Sequence, residues 1–72
     1  MTVQTDPLIR KLMAKLRDPD PITRRNAAGA LRLQGAKAAA ALPAIAQLLD
    51  DEDIRVRREA ARAVQHLRLP AA

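Results

Sequence analysis

Leu16-Arg17-Asp18-Pro19-Asp20-Pro21-Ile22-Thr23-Arg24-Arg25-Asn26-Ala27-Ala28-Gly29-Ala30-Leu31 is echoed 33 residues later by Leu49-Asp50-Asp51-Glu52-Asp53-Ile54-Arg55-Val56-Arg57-Arg58-Glu59-Ala60-Ala61-Arg62-Ala63-Val64. Leucine falls on leucine, and Asp18 and Asp20 fall on Asp51 and Asp53. Arg24-Arg25 then falls on Arg57-Arg58, Ala27-Ala28 on Ala60-Ala61, and Ala30-Leu31 on Ala63-Val64. Upstream, Ile9 and Leu12 fall on Leu42 and Ile45, which keeps the apolar stripe of each preceding helix in phase. A fixed period of this size filled by one helical hairpin is the signature of a solenoid. Alanines and arginines match by chance in a chain rich in both; the two acidic turns do not.

The punctuation around this stretch divides the chain into helices. Asp6-Pro7 opens the first, the aspartate as cap and the proline in the first turn. Leu8, Ile9, Leu12, Met13 and Leu16 recur at helical spacing, with Arg10, Lys11, Lys15 and Arg17 on the other face. Asp18-Pro19-Asp20-Pro21 ends that helix and starts a second, because two prolines so close cannot lie inside one helix. The second runs to about Gln34 and stops at Gly35, in a left-handed conformation. A third is expected over about residues 37–50, with Ala38, Ala41, Leu42, Ile45, Leu48 and Leu49 as its stripe. Pro43 either bends it or marks its true start. Asp53 caps a fourth that reaches about Leu69, stopped by Pro70. The expected fold class is all-α: an α-solenoid fragment of two antiparallel helical hairpins, four helices in all. It forms a single domain over 1–72, with repeat 1 at about 6–35 and repeat 2 at about 37–69.

Seventy-two residues bury a modest fraction of their surface, so something must reinforce the fold. With no cysteine and one histidine, disulfides, thiolate chemistry and a histidine-ligated metal site are excluded, leaving association. The chain has no Phe, Tyr or Trp, and its 49% apolar content leans on alanine. Alanine favours helix and close helix approach but removes little surface, so the core should be thin. The net charge of +5 favours attraction to anions without naming one. No apolar run is long enough to cross a bilayer, and residues 1–6 lack the features of a secretory signal, so a cytoplasmic protein with no membrane partner is expected. A start at Met1 suits a complete gene product and an excised or designed piece alike.

The sequence resembles the short HEAT-like repeats, in particular the type named after phycobilisome lyases. Their pattern is a Leu-Leu end to the first helix of each hairpin, an acidic turn, Val-Arg, then Ala-Ala-x-Ala-Leu. Leu48-Leu49, Asp51, Asp53, Val56-Arg57, Ala60-Ala61 and Ala63-Val64 follow it, as do Asp18, Asp20, Arg24, Ala27-Ala28 and Ala30-Leu31. The likeness spans about residues 8–67. Thr23 replaces the usual valine, Leu33-Gln34 departs at the end of the second helix, and Arg68 stands where glycine is common. The resemblance implies that Asp18, Arg24, Asp51 and Arg57 form a structural ladder across the turns and between repeats. It also implies that the second helix of each hairpin lines a concave face.

On that face Arg25 and Arg32 are seven apart with Gly29 between them, and Arg55, Arg58 and Arg62 lie along one stripe. These six residues are the candidate partner-binding set. The arginines either grip phosphates or an acidic protein surface, or form a solvated helix face. Glu59 within the stripe and the absence of stacking aromatics count against single-stranded nucleic acid. Gly29, about 1 kcal/mol worse than alanine inside a helix, reflects either close approach or tolerated drift. His66 reads as a surface residue near a helix end. The carboxylates of Asp50, Asp51, Glu52 and Asp53 lack the spacing of a calcium loop and read as turn and capping groups.

No serine or cysteine is present and only one histidine, so nucleophile, base and orienter cannot be assembled from these types, and no pocket is implied for threonine or carboxylate catalysis. No enzyme activity, cofactor or metal is expected. A solenoid normally needs about three or more repeats, and this chain has two, so at least one end should expose apolar surface from Leu8, Ile9, Leu12 and Met13 or from Val56, Val64 and Leu67. The expected function is a non-catalytic macromolecule-binding module, a small protein-interaction adaptor or subunit. Its partner is another protein or a second copy, most simply in a two-fold dimer. The alternative is a polyanion or nucleic-acid binder using the arginine stripe. An accessory component of an enzyme complex is the third reading.

Overall fold

The computed structural model describes residues 6–68. Helix α1 spans Pro7–Lys15, α2 Pro21–Gln34, α3 Leu42–Gln47 and α4 Ile54–Arg68. Among the described residues there is no strand. The aspartates begin the long helices as their chemistry requires. Asp6 Oδ1 accepts from the Leu8 amide at 2.8 Å, Asp20 Oδ1 from Ile22 at 3.0 Å and Asp53 Oδ1 from Arg55 at 2.8 Å. Each satisfies an amide that has no partner within its own helix. Gly35 ends α2 at φ 62°, ψ −135°. It has the positive φ expected of a stop glycine, but its ψ lies outside the left-handed helical well.

The expected continuous third helix over 37–50 is corrected. Gly35–Ala41 is a 3-10 segment, α3 has only six residues, and Leu48–Asp50 is again 3-10. Only three α-helices therefore exceed one or two turns. Pro43 breaks the helix on the N-terminal side of α3: it lacks an amide proton, and its ring displaces the carbonyl four residues earlier. That carbonyl, on Ala39, accepts instead from the Leu42 amide in a 3-10 turn. Pro43 thus marks the start of α3. The expected end of the fourth helix at Leu69 and its stop at Pro70 lie outside the described residues.

Helices α2 and α4 pack together in one layer; α1 and the 35–50 segment lie on their other side. The smallest dimension is 16 Å, the thickness of two helix layers. Between them sit Ile9, Leu16, Ala27, Ala28, Leu31, Ala38, Ala41, Ile45, Val56, Ala60 and Ala63, all at most 2% exposed. The large, fully buried side chains are Ile9, Leu31, Ile45 and Val56; most of the rest are alanine, as the composition requires. Ile9 and Val56 are therefore core rather than open end surface. Leu8, Leu49 and Ile54 are exposed instead, at 47%, 40% and 50%.

Candidate interaction surfaces

The two acidic turns are built alike. Asp18 Oδ1 accepts from the Asp20 amide and Asp51 Oδ2 from the Asp53 amide, both at 2.9 Å. Arg24 Nη1 donates to the Asp18 carbonyl at 2.7 Å, and Arg57 Nη1 to the Asp51 carbonyl at 2.8 Å. Each arginine, one turn into its helix, ties that helix to the turn before it. Arg24 does more. Its Nε and Nη2 meet Asp51 Oδ1 and Oδ2 at 2.9 and 3.1 Å, and Nη1 also reaches the Pro19 carbonyl at 2.9 Å. A two-pronged pair of this kind fixes orientation as well as charge. The Arg24 hydrogen bond holds the Asp51 carboxyl below its ordinary value, and the same bond raises Arg24. The carboxylate partner of Arg24 is thus Asp51, not the nearer-in-sequence Asp18. Among the described residues, neither the Asp18 carboxylate nor the Arg57 guanidinium has an ion-pair partner.

The arginines singled out on the α2 and α4 faces do come together. Arg25, Arg55, Arg58 and Arg62, with Glu59, line a shallow depression of about 310 Å³. Arg32 and Arg62, with Gln65 and the exposed His66, line a neighbouring one of about 280 Å³. Several are already engaged. Arg32 Nε meets Glu59 Oε2 at 2.8 Å, Arg55 holds Asp53 at 2.8 and 3.1 Å, and Arg25 donates to the Asn26 side chain. The Arg55 side chain depresses the Asp53 carboxyl well below the usual carboxylate range. Arg58 and Arg62 are exposed and have no ion-pair partner among the described residues. Gly29 faces Glu59: a methyl placed there would lie 3.5 Å from Glu59 Cδ, ordinary van der Waals contact. Close approach therefore does not demand glycine.

The third surface is formed by α4 and the turn before it. Leu49, Ala61, Val64, Gln65 and Arg68 line an open groove of about 420 Å³ there. Three of its residues, Leu49, Ala61 and Val64, fall on buried ones at the sequence interval. Leu16 is 2% exposed and Leu49 40%; Ala28 is buried and Ala61 exposed; Leu31 is buried and Val64 half-buried. Arg24 is buried, whereas Arg57 is partly exposed. Sequence reasoning placed Leu49 in the stripe of the third helix and missed it as surface. No sequence signal set it apart, because Leu49 matches the buried Leu16. Leu33, 76% exposed near the end of α2, was also missed as surface and has no sequence signal beyond its departure from the repeat pattern.

Among the described residues no group of three or more His, Asp or Glu side chains could hold a metal ion, and no helix is long and apolar enough to cross a membrane. No curated protein and no solved structure matches the chain. The family model of HEAT repeats matches residues 9–72, both acidic turns and all the helices but the first two residues of α1. That model covers HEAT repeats in general and does not single out the lyase-type subset. With paired acidic turns, a guanidinium–carboxylate bridge from α2 to the turn before α4, and this match over nearly its whole length, the chain belongs to the HEAT repeat family.

Proposed function

We propose that this chain is a non-catalytic protein-interaction module, an adaptor or subunit that binds another protein through the open face of α4. HEAT repeats commonly mediate protein–protein interactions. In this reading residues 6–35 and 37–69 are two repeats of one domain, and the second presents to a partner the surface that the first presents to the second. One observation carries it: Leu16 is covered and its equivalent Leu49 is 40% exposed. Exposed leucine and alanine and half-buried valine side chains rimmed by Gln65 and Arg68 have the character of an interface centre with a polar rim. A cytoplasmic setting suits a module of this kind.

A second reading has its own support. Arg25, Arg55, Arg58 and Arg62 share one depression, a geometry suited to phosphate or an acidic protein surface. The bonds from Arg55 to Asp53 and from Arg32 to Glu59 reduce the charge on offer there, so this reading ranks second. Participation in an enzyme complex would use the same faces and brings no residues of its own.

Retention of partners from source-cell extract by the immobilised chain separates these readings. A protein lost with Leu49→Glu and Val64→Glu but kept with Arg58→Glu and Arg62→Glu supports the leading one. Nuclease- and salt-sensitive retention lost only with the arginine changes supports the second. No difference among the variants contradicts both.

A further inference from the structure

The contact between the two halves of the chain is a template for what the open face accepts, and the opposite end of the same molecule supplies the matching parts. Arg24 of α2 reaches Asp51, and Arg32 of α2 reaches Glu59 of α4. Moved forward by the 33-residue interval, the donors become Arg57 and Gln65. Moved back by the same 33 residues, the acceptors become Asp18 and Asn26. Arg57 has no carboxylate and Asp18 no cation among the described residues, so each end holds half of an ion pair. Gln65 and Asn26 are both exposed and are complementary amides. Each half also exposes a leucine whose equivalent in the other half is buried: Leu49 is 40% exposed and its equivalent Leu16 2%, while Leu8 is 47% exposed and its equivalent Ala41 0%.

From this we infer that the occupant of the open α4 face is a second copy of this chain, stacked head to tail, with Arg57 of one copy paired to Asp18 of the next. The inference rests on the interaction-module reading and names its partner. It replaces the two-fold dimer expected from sequence, because Arg57 and Asp18 lie on opposite ends and one two-fold axis cannot pair them at a single shared patch. Head-to-tail contacts use two different surfaces, so the stack either closes into a ring or grows. Thr23 lies at the α1–α2 end where its equivalent Val56 is fully buried, which makes that end the more polar of the two.

The test blocks each end separately. Leu49→Glu blocks the α4 face; Leu8→Glu with Asp18→Asn blocks the other, the asparagine keeping the Oδ1 acceptor for the Asp20 amide. Leu8 and Leu49 are exposed, and helix content by circular dichroism confirms that both variants fold. Sedimentation velocity and light scattering then follow mass from micromolar to millimolar chain. The wild type should exceed the mass of two 7.9 kDa chains as concentration rises. Each variant alone should remain a single chain. Their equimolar mixture should stop at two, because one intact surface of each kind remains. Self-association of the Leu8/Asp18 variant like the wild type, or a mixture that stays monomeric while the wild type grows, overturns head-to-tail stacking. A wild type that stays monomeric throughout also overturns it; the interaction-module reading then stands or falls separately, on whether a cellular protein is retained in a Leu49-dependent way.

Discussion

Replacing Gly29 by alanine should make the protein more stable, an uncommon result for a half-buried position facing another helix. Gly29 lies in the interior of α2, where glycine is about 0.8–1.0 kcal/mol worse than alanine. The gain is realised only if the methyl group fits. Built on the existing backbone, it would lie 3.5 Å from Glu59 Cδ, 3.6 Å from Oε2 and 3.8 Å from Cγ, with no backbone of α4 among its near neighbours. Those are contact distances, not clashes, and the Glu59 side chain can yield. The Arg32–Glu59 pair at 2.8 Å need not move to admit it. A net gain of about 1 kcal/mol follows, which in a domain of this size raises the midpoint by roughly 4–8 °C. Thermal and urea melts followed by circular dichroism measure it, at one low chain concentration so that association contributes equally to both proteins. A midpoint at or below that of the wild type would show that α2 and α4 lie closer at Gly29 than this geometry allows.

Other predictions follow from the same structure. Leu16→Ala should cost about 2–4 kcal/mol as a buried leucine truncation, whereas Leu49→Ala, on the matched but open position, should cost under about 1 kcal/mol; equal losses in dilute urea melts would contradict the difference in exposure. Asp51→Asn should abolish part of the acid sensitivity. The Asp51 carboxyl is held below its ordinary value of 3.8, so its contribution is full above that pH and is lost as pH falls through the lowered folded value. A wild type whose stability between about pH 5 and pH 2 tracks that of the Asn variant would rule out the Arg24 pair as the cause. Arg58→Glu and Arg62→Glu, both on exposed positions, should change stability by no more than about 0.5 kcal/mol, and a large loss by chemical denaturation would place them in an ion network absent from this structure.

The helix starts, the thin alanine core and the two acidic turns were legible because each depends on local chemistry: aspartate at a cap, proline in a first turn, apolar spacing along a helix. The ladder was less so. Asp18 stands six residues from Arg24 in sequence, yet Arg24 pairs with Asp51, because the carboxylate nearest along the chain is not the one the helix packing brings near. The third helix failed for a different reason. Alanine-rich residues 37–41 carry strong helix propensity, but the backbone effect of Pro43 outweighs it and leaves a 3-10 segment. Exposure at Leu49 escaped a periodicity argument altogether, since its place in the stripe is the same as that of buried Leu16.

An in-register tandem of two copies, joined so that Asp18 of the second follows Asp51 of the first at the same 33-residue interval, probes the open face without relying on binding strength. Urea unfolding of this fusion should give one cooperative transition at a higher midpoint than the single chain, with a slope close to doubled. Two halves melting independently at the midpoint of the single chain would mean that the face of α4 is a finished surface and not an unfilled repeat interface.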